Sequence, residues 1–308
     1  MCKRKLYEQK KDRIKVINQK PVNTKDELIS IAGTDKVCAC DFYVDGSERW
    51  LADGHILMEG RFLNIDHHSS LEELKSRISS GNIAASFVKK YGILDDDYIV
   101  VLNHLDCDSV VSSFIMLGIL EPEPRLIRSV ISADHTGDKD DIADLLQALE
   151  DTKNLDLIAK NLFDVMDGDE PEEEAKRLLR IREKNRERIA SMVEMKRFHK
   201  EGDVSYMVTE SNLDPALLVS LLPESVAIMV SSVSKEPEPR DEQRWDHRIR
   251  LGMKMEGISM KDLDLPDFGG RWNAGSTRRN GGTKIPPKRY AYILDRKLKE
   301  RLDNRMSV

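Results

Sequence analysis

The sequence predicts an α/β protein: a parallel-sheet amino-terminal domain, a helical connector, and a smaller α/β carboxy-terminal domain. Three observations lead there. Short β-branched runs alternate with helical stretches between about residues 35 and 150, a long charged stretch fills 141–200, and strand-like runs return from Val204 onward. The expected organisation is a basic arm over 1–20, a metal-binding α/β domain over 21–150, a connector over 151–202 and a substrate-binding domain over 203–308.

At 308 residues and 40% hydrophobic content the chain can bury two cores. A net charge of -6 and a pI near 5.8 exclude a general nucleic-acid coat, while leaving room for a local basic patch. No apolar run approaches the roughly 20 residues of a membrane span, and MCKRKLYEQKKDRIK has no signal-like apolar core. A soluble, cytoplasmic protein without a membrane partner is expected. Cys2, Cys38, Cys40 and Cys107 form no C-x-x-C pair, which fits a reducing compartment. The alternation in VCACDF reads as strand rather than zinc knuckle, and Cys107 as a small packing residue.

Residues 1–20 carry eight lysines and arginines, the pattern of a mobile or surface-docked arm. A short helix is expected from Lys25 to Ala32 and a strand from Val37 to Tyr43. A turn at Asp45-Gly46 and a hairpin or meander between Trp50 and Asn64 follow. Ser70 to Tyr91 reads as helix broken near Gly81, with Asn82 as a restarting cap and Gly92 as the stop. Tyr98 to Leu102 reads as a buried parallel strand, and Ser109 to Leu117 as the helix after it. Beyond the Glu121-Pro122-Glu123-Pro124 turn, RLIRSVISAD reads as another buried strand.

Pro171 opens a helix whose Leu178, Ile181, Ile189, Met192 and Val193 form a narrow apolar stripe, supported by Glu172–Lys176 and Glu173–Arg177 pairs. Further on, VSYMVTE, VAIMVSSV and WDHRIRLGMK read as strands. DPALLVSLL, Ile258 to Leu263 and Tyr290 to Leu302 read as helices.

Acid and imidazole gather where apolar runs stop. The strand at Tyr98 runs into His104, Asp106 and Asp108; RFLNI runs into Asp66, His67 and His68; and RLIRSVIS runs into Asp134-His135-Thr136-Gly137-Asp138. Four of the seven histidines therefore lie at such ends. Residues two apart on an extended strand point the same way, so His104, Asp106 and Asp108 can converge at the carboxyl edge of a parallel sheet. A divalent cation resolves such crowding, which makes H-x-D-x-D a metal half-site; the alternative is a solvated acidic turn with Asp108 as helix N-cap. By the same alternation, Asp66 and His68 share a face while His67 serves another ion, a second layer of contacts or a substrate phosphate. His247 alternates with apolar residues, which favours a structural or phosphate-facing role over metal ligation.

Between Gly269 and Arg289 stand five glycines, six lysines or arginines and no acidic residue, in an acidic protein. Glycine lets backbone N–H groups approach an anion, and arginine offers a planar fork to phosphate oxygens. A phosphate-gripping loop is one reading of this stretch; a disordered basic linker is the other.

Together these motifs resemble the DHH phosphoesterase superfamily. Asp66-His67-His68 matches its name motif, His104-x-Asp106-x-Asp108 looks like its amino-terminal [H/D]-x-D-x-D motif, and Asp134 looks like its single-aspartate motif, with Asp138 as the other candidate. Gly269-Gly270-Arg271-Trp272-Asn273-Ala274-Gly275 is similar to the G-G-H-x-x-A-A-G loop of the associated DHHA1 domain, with Arg271 in place of histidine. Here DHH precedes D-x-D, the reverse of the family's order, so the chain reads as a rearranged or divergent member. The other arrangement takes Asp41-Phe-Tyr-Val-Asp45-Gly as a degraded first motif in the usual order. It is set aside because about 20 residues between Asp45 and Asp66 are too few for a βαβ unit.

The resemblance implies two Mn²⁺ or Mg²⁺ ions held by Asp66, His68, His104, Asp106, Asp108 and Asp134, with His67 and His68 as catalytic groups. It implies substrate contacts from Gly269, Gly270, Arg271, Asn273, Arg278 and Arg279. The expected activity is metal-dependent hydrolysis of a phosphodiester or phosphoanhydride in a small nucleotide or short single-stranded oligonucleotide. An inactive nucleotide-binding regulator and a nucleic-acid scaffold using Lys3 to Lys15 and the glycine loop are the alternatives, and the sequence allows a dimer.

Overall fold

The computed structural model describes residues 2–17, 24–34, 36–44, 56–59, 61–67, 78–210, 213–234, 243–253, 255 and 258–306. It divides into two units, one of residues 1–134 and 139–183, the other of 135–138 and 184–308. Both units are mixed α/β.

The first unit contains α1 (Lys3–Lys10), β1 (Ile14–Val16), α2 (Lys25–Ala32), β2 (Val37–Cys40), β3 (Ile56–Glu59), β4 (Phe62–Ile65), α3 (Ser80–Tyr91), β5 (Ile99–Leu102), α4 (Cys107–Met116), α5 (Pro124–Ile131), α6 (Asp141–Leu149) and α7 (Leu155–Asp167). Its sheet runs β1-β5-β2-β4-β3, parallel except for β3, which is antiparallel to β4. Strands covered on both faces must be largely apolar, and the central ones are, with the buried Asn64 of β4 as the exception. Cys38, Cys40, Leu63, Ile65, Val100 and Leu102 pack with Ala84 and Phe87 of α3 and Val110 and Phe114 of α4. Val37, Ala39, Phe62 and Val101 face the other way, onto Leu28 and Ala32 of α2.

Several expectations need correction here. The basic arm is folded: Ile14–Val16 pairs in parallel with Val100–Leu102, and the Tyr7 ring lies 5.5 Å from Phe114 and 5.9 Å from Phe163. Its few apolar residues carry the docking, while Lys3 and Arg4 pair outward with Asp167 and Asp164. RLIRSVISAD is not a strand but α5 followed by a π turn over Ser132–Thr136. Pro124 opens that helix, and the buried Leu126, Val130 and Ala133 repeat at helical spacing despite the β-branched composition. Gly81 does not break α3. Ser79 is the N-cap and Asn82 closes a capping box, with Gly92 ending the helix at φ +86°. The part of the expected helix over 70–77 lies outside the described residues, as do Asp45-Gly46, Trp50 and Asp53-Gly54.

The helix α8 (Glu173–Glu194) runs from the first unit into the second. Leu178 packs in the first unit's core and Ile189, Met192 and Val193 in a core of the second, whereas Ile181 is exposed. The expected charge pairs shift partner: Lys176 meets Glu170 at 2.6 Å and Arg177 meets Glu174 at 2.7 Å.

The second unit holds β6 (His199–Glu201), β7 (Val204–Val208), β8 (Ala227–Val233), β9 (Trp245–Leu251), β10 (Gly269–Gly270), β11 (Ala274–Ser276) and α9 (Pro287–Met306). Its sheet order is β10-β11-β9-β8-β7-β6, with only β7 and β8 parallel. Tyr290, Leu294 and Leu298 of α9 pack onto Val204, Met229 and Ile249. The two short helices expected here contract to single 3-10 turns, Pro215–Leu218 and Met260–Leu263. Among the described residues no helix is long and apolar enough to cross a membrane.

One buried amide fixes how the chain leaves β2. Asn64, fully buried on β4, donates to the carbonyl of Phe42 at 2.8 Å and accepts from the Val44 amide at 3.1 Å. It thereby satisfies backbone groups that no strand partner takes. Asn64→Ala leaves both unpaired and costs about 2–4 kcal/mol, read as a lower urea midpoint at unchanged m. A loss below about 0.5 kcal/mol would mean the turn is held by something else.

Candidate metal centre

In an open α/β sheet the carboxyl ends of the strands form the natural ligand crevice. Three strands of the first unit deliver acid or imidazole there: β2 leads into Asp41, β4 into Asp66 and His67, and β5 into His104 and Asp106. β2 is the central strand, between β5 and β4.

Asp41 occupies the middle of the cluster. It is 2% exposed and sits in the left-handed region at φ +63°, with its amide bonded to the Ile65 carbonyl at 2.8 Å. Strand alternation would send residue 41 to the α2 face, the side taken by Val37 and Ala39. The left-handed turn breaks that alternation, and its carboxylate instead meets α3 and α4. Oδ1 accepts from Ser80 Oγ at 3.0 Å and Oδ2 from Ser109 Oγ at 2.8 Å.

Two donor groups share this carboxylate. In one, His67 Nε2 lies 3.6 Å from Asp41 Oδ1, 3.6 Å from Asp108 Oδ2 and 3.5 Å from Asp134 Oδ2. In the other, His104 Nε2 lies 3.5 Å from Asp41 Oδ2 and 2.8 Å from Asp106 Oδ2. Asp41–His67–Asp108 and Asp41–His104–Asp106 each bring their ligand atoms within 4.8 Å of one another. Carboxylate and imidazole donors in two adjacent groups fit a pair of hard or borderline divalent cations.

The H-x-D-x-D stretch does not converge as an extended strand end, because β5 stops at Leu102 and α4 begins at Cys107. Asp106, not Asp108, is the N-cap, accepting from the Ser109 amide at 2.9 Å. Asp108 turns inward within the first helical turn. Its two oxygens accept from the Ser80 and Gly81 amides of α3, each at 2.7 Å. A Cβ on Gly81 would stand 3.0 Å from Val130 and 3.3 Å from Asp108 Oδ1, closer than side chains usually pack.

The charges respond to this crowding. Burial, then repulsion from Asp106, Asp108, Asp134 and Asp66, pushes the Asp41 carboxyl well above its ordinary range. Burial, then Asp134 and Asp106, raises Asp108 to about 7. For Asp106 burial works the same way, but the hydrogen bond and charge of His104 outweigh it and hold the carboxyl low. Burial lowers His104 in turn, and Asp106 more than reverses that.

Of the other candidate residues, Asp66 is buried and its charge acts on Asp41, though it belongs to neither donor group. His68 lies outside the described residues. Asp138 accepts from Thr136 Oγ1 at 2.6 Å. In the second unit the glycine stretch is not a disordered linker. Gly269–Gly270 and Ala274–Ser276 form a hairpin closed by Arg271 N to Ala274 O at 2.8 Å, and a Cβ on Gly270 would fall 2.4 Å from Ala274 O. Arg278 and Arg279 are exposed, Arg271 half-buried, and the buried Asn273 bonds His135 Nδ1 through Nδ2 at 3.0 Å. His247 is structural: Nδ1 pairs with Ser231 Oγ and Nε2 with the Ile285 carbonyl, both at 2.9 Å, and burial lowers it to about 4, so it is neutral.

Sequence reasoning weighed Asp41 and set it aside, and gave no site role to Ser80 or Ser109. The signal for Asp41 was present, an acid ending a strand. The objection to it was the short distance to Asp66, and β3 removes that objection: a hairpin edge strand returns the chain to β4 where a crossover helix would not fit.

No family model matches the chain, and no curated protein matches it. Among solved structures it is similar to a pGpG-specific phosphodiesterase, PggH, from Vibrio cholerae, at 11% identity and a TM-score of 0.41, over 71% of this chain and 74% of that one.

The cluster sets a direction for stability against pH. Asp41 and Asp108 bind protons more tightly folded than unfolded, so their contribution is full below about pH 4 and is lost as pH rises through the folded values, about 7 for Asp108. His104, raised by Asp106, runs the same way at higher pH. In chelator, the melting temperature therefore falls between pH 5 and 7.5, on the order of a few kcal/mol in stability. Asp108→Asn flattens that fall; an equally steep profile in the variant would show the carboxyl is not its source.

Proposed function

We propose that this chain is a metal-dependent phosphoesterase of the DHH type, hydrolysing a phosphodiester or phosphoanhydride of a small nucleotide or short oligonucleotide. One observation carries the reading: two donor groups meet at the single carboxylate of Asp41, each with its own imidazole and second aspartate. Five buried or half-buried carboxylates with two imidazoles repel one another unless protons or cations neutralise them, and only cations let all of them ionise at neutral pH.

Asp41, His67 and Asp108, with Asp134 beside them, would hold one ion, and Asp41, His104 and Asp106 the other, as Mn²⁺ or Mg²⁺. When bound, such a pair polarises phosphoryl oxygens and makes water acidic near neutral pH. The remaining chemistry belongs to the chain. Asp106 stays ionised through its bond to His104 and the Ser109 amide, so it offers a negative charge at any working pH. Where no cation occupies it, His67 Nε2, packed among carboxylates, is placed to hold or pass a proton. Asp66 and His68, its neighbours in sequence, are the further candidate ligands. In the second unit, Gly269, Gly270, Arg271, Asn273, Arg278 and Arg279 are the proposed substrate contacts, the exposed arginines offering forks to phosphate.

The test is hydrolysis of bis-p-nitrophenyl phosphate, a dinucleotide and pyrophosphate by purified protein with added Mn²⁺. Asp41→Ala and Asp106→Ala are each expected to lower kcat/KM at least ~100-fold. Rates equal to those of the variants on all three substrates would refute the enzyme reading, and nucleotide binding without turnover would favour the regulatory one.

A further inference from the structure

The carboxylate shared by the two donor groups must present one oxygen to each, and a free carboxylate on a turn has no reason to hold that plane. Rotation about its χ2 is broad, as for any sp³–sp² torsion. Here both oxygens are already engaged from the same side. Ser80 Oγ donates to Oδ1 at 3.0 Å and Ser109 Oγ donates to Oδ2 at 2.8 Å, and both serines are fully buried.

Neither hydroxyl is spent on capping its own helix. Ser80 is the first residue of α3, whose N-cap is Ser79, and Ser109 lies in the first turn of α4, whose N-cap is Asp106. The backbone amides of the same two residues serve the other aspartates, Ser80 N to Asp108 and Ser109 N to Asp106. Each serine thus ties Asp41 to the second aspartate of one donor group. Ser80 links Oδ1 with Asp108 on the His67 side, and Ser109 links Oδ2 with Asp106 on the His104 side.

We infer that Ser80 and Ser109 are positioning residues: their hydroxyls set the plane of the Asp41 carboxylate so that one oxygen is committed to each donor group. This rests on the two-cation reading. Each carboxylate oxygen has a lone pair left after accepting one hydroxyl. Two fixed donors aim those remaining lone pairs at two places instead of one. Without them, the carboxylate is free to turn both oxygens towards one imidazole, leaving the other group without its shared ligand.

The experiment is a Mn²⁺ titration of the full chain followed by calorimetry and electron paramagnetic resonance, on the wild type, Ser80→Ala, Ser109→Ala and the double variant. The wild type is expected to take up two ions whose spectrum shows exchange coupling through a shared carboxylate. The double variant is expected to bind the second ion at least ~10-fold more weakly and to show the six-line spectrum of isolated Mn²⁺. Ser→Cys at either position, which keeps volume and a weak donor, should restore part of the coupling, as simple cavity filling would not. Unchanged coupling and affinity in the double variant would overturn the assignment.

A wild type that binds no pair of ions would instead sink the two-cation reading. The serines are then judged in chelator by a double-mutant cycle of Ser109→Ala and of Ser80→Ala against Asp41→Ala. Melting-temperature shifts that fail to add support the positioning contacts, and additive shifts overturn them.

Discussion

Like charges forced together at the end of a sheet are the constraint around which the first unit is built. Asp41, Asp66, Asp106, Asp108 and Asp134 gather around two imidazoles, and burial makes each charge more costly than it would be in water. The local structure answers with donors. Asp108 takes two backbone amides from α3, Asp106 caps α4 and bonds His104, and Asp41 takes two hydroxyls. Both helices point their N-termini at the cluster, where amides and the macrodipole favour negative charge. Those amides are already used by aspartates, so they stabilise the site itself rather than an incoming anion.

That arrangement depends on β2 lying in the middle of the sheet. A central strand ends between its neighbours, so a residue just beyond it can reach groups delivered by β4 on one side and β5 on the other. The left-handed backbone at Asp41 then turns the side chain to the face where α3 and α4 begin. Aspartate tolerates that conformation better than most side chains, and the buried Asn64 holds the turn that follows. Strain in the backbone, placement in the sheet and hydrogen bonding converge on one carboxylate.

How much of this the sequence disclosed follows from what kind of signal each feature leaves. Buried parallel strands announce themselves as apolar runs, and helix α2 even shows its Thr24–Glu27 capping box, so those elements were legible. The clustering of histidines at strand ends was legible too, because His67 and His104 are local in sequence to the strands that carry them. What failed was geometry beyond the strand. Alternation predicted one shared face for His104, Asp106 and Asp108, but helix α4 starts early and sends Asp106 and Asp108 to different donor groups. A backbone at positive φ leaves no mark when the residue is an aspartate, so Asp41 could not be aimed from the sequence. Likewise α5 carries β-branched residues whose helical spacing competes with their strand preference, and packing decides such cases.

The two donor groups differ in a way that bears on any ligand. The side chains of His67 and Asp108 are 2% and 4% exposed, whereas those of His104 and Asp106 are 25% and 29% exposed. The first group is therefore shielded from solvent and the second open to it. The field differs as well: the closed group, with desolvated carboxylates around one imidazole, holds charge more strongly, while the open one is screened by water. Asp41 joins the two, so under the two-cation proposal a change of occupancy on the open side would be felt on the closed side through one carboxylate. The burial of the two groups thus differs, and the central position of Asp41 is what joins them.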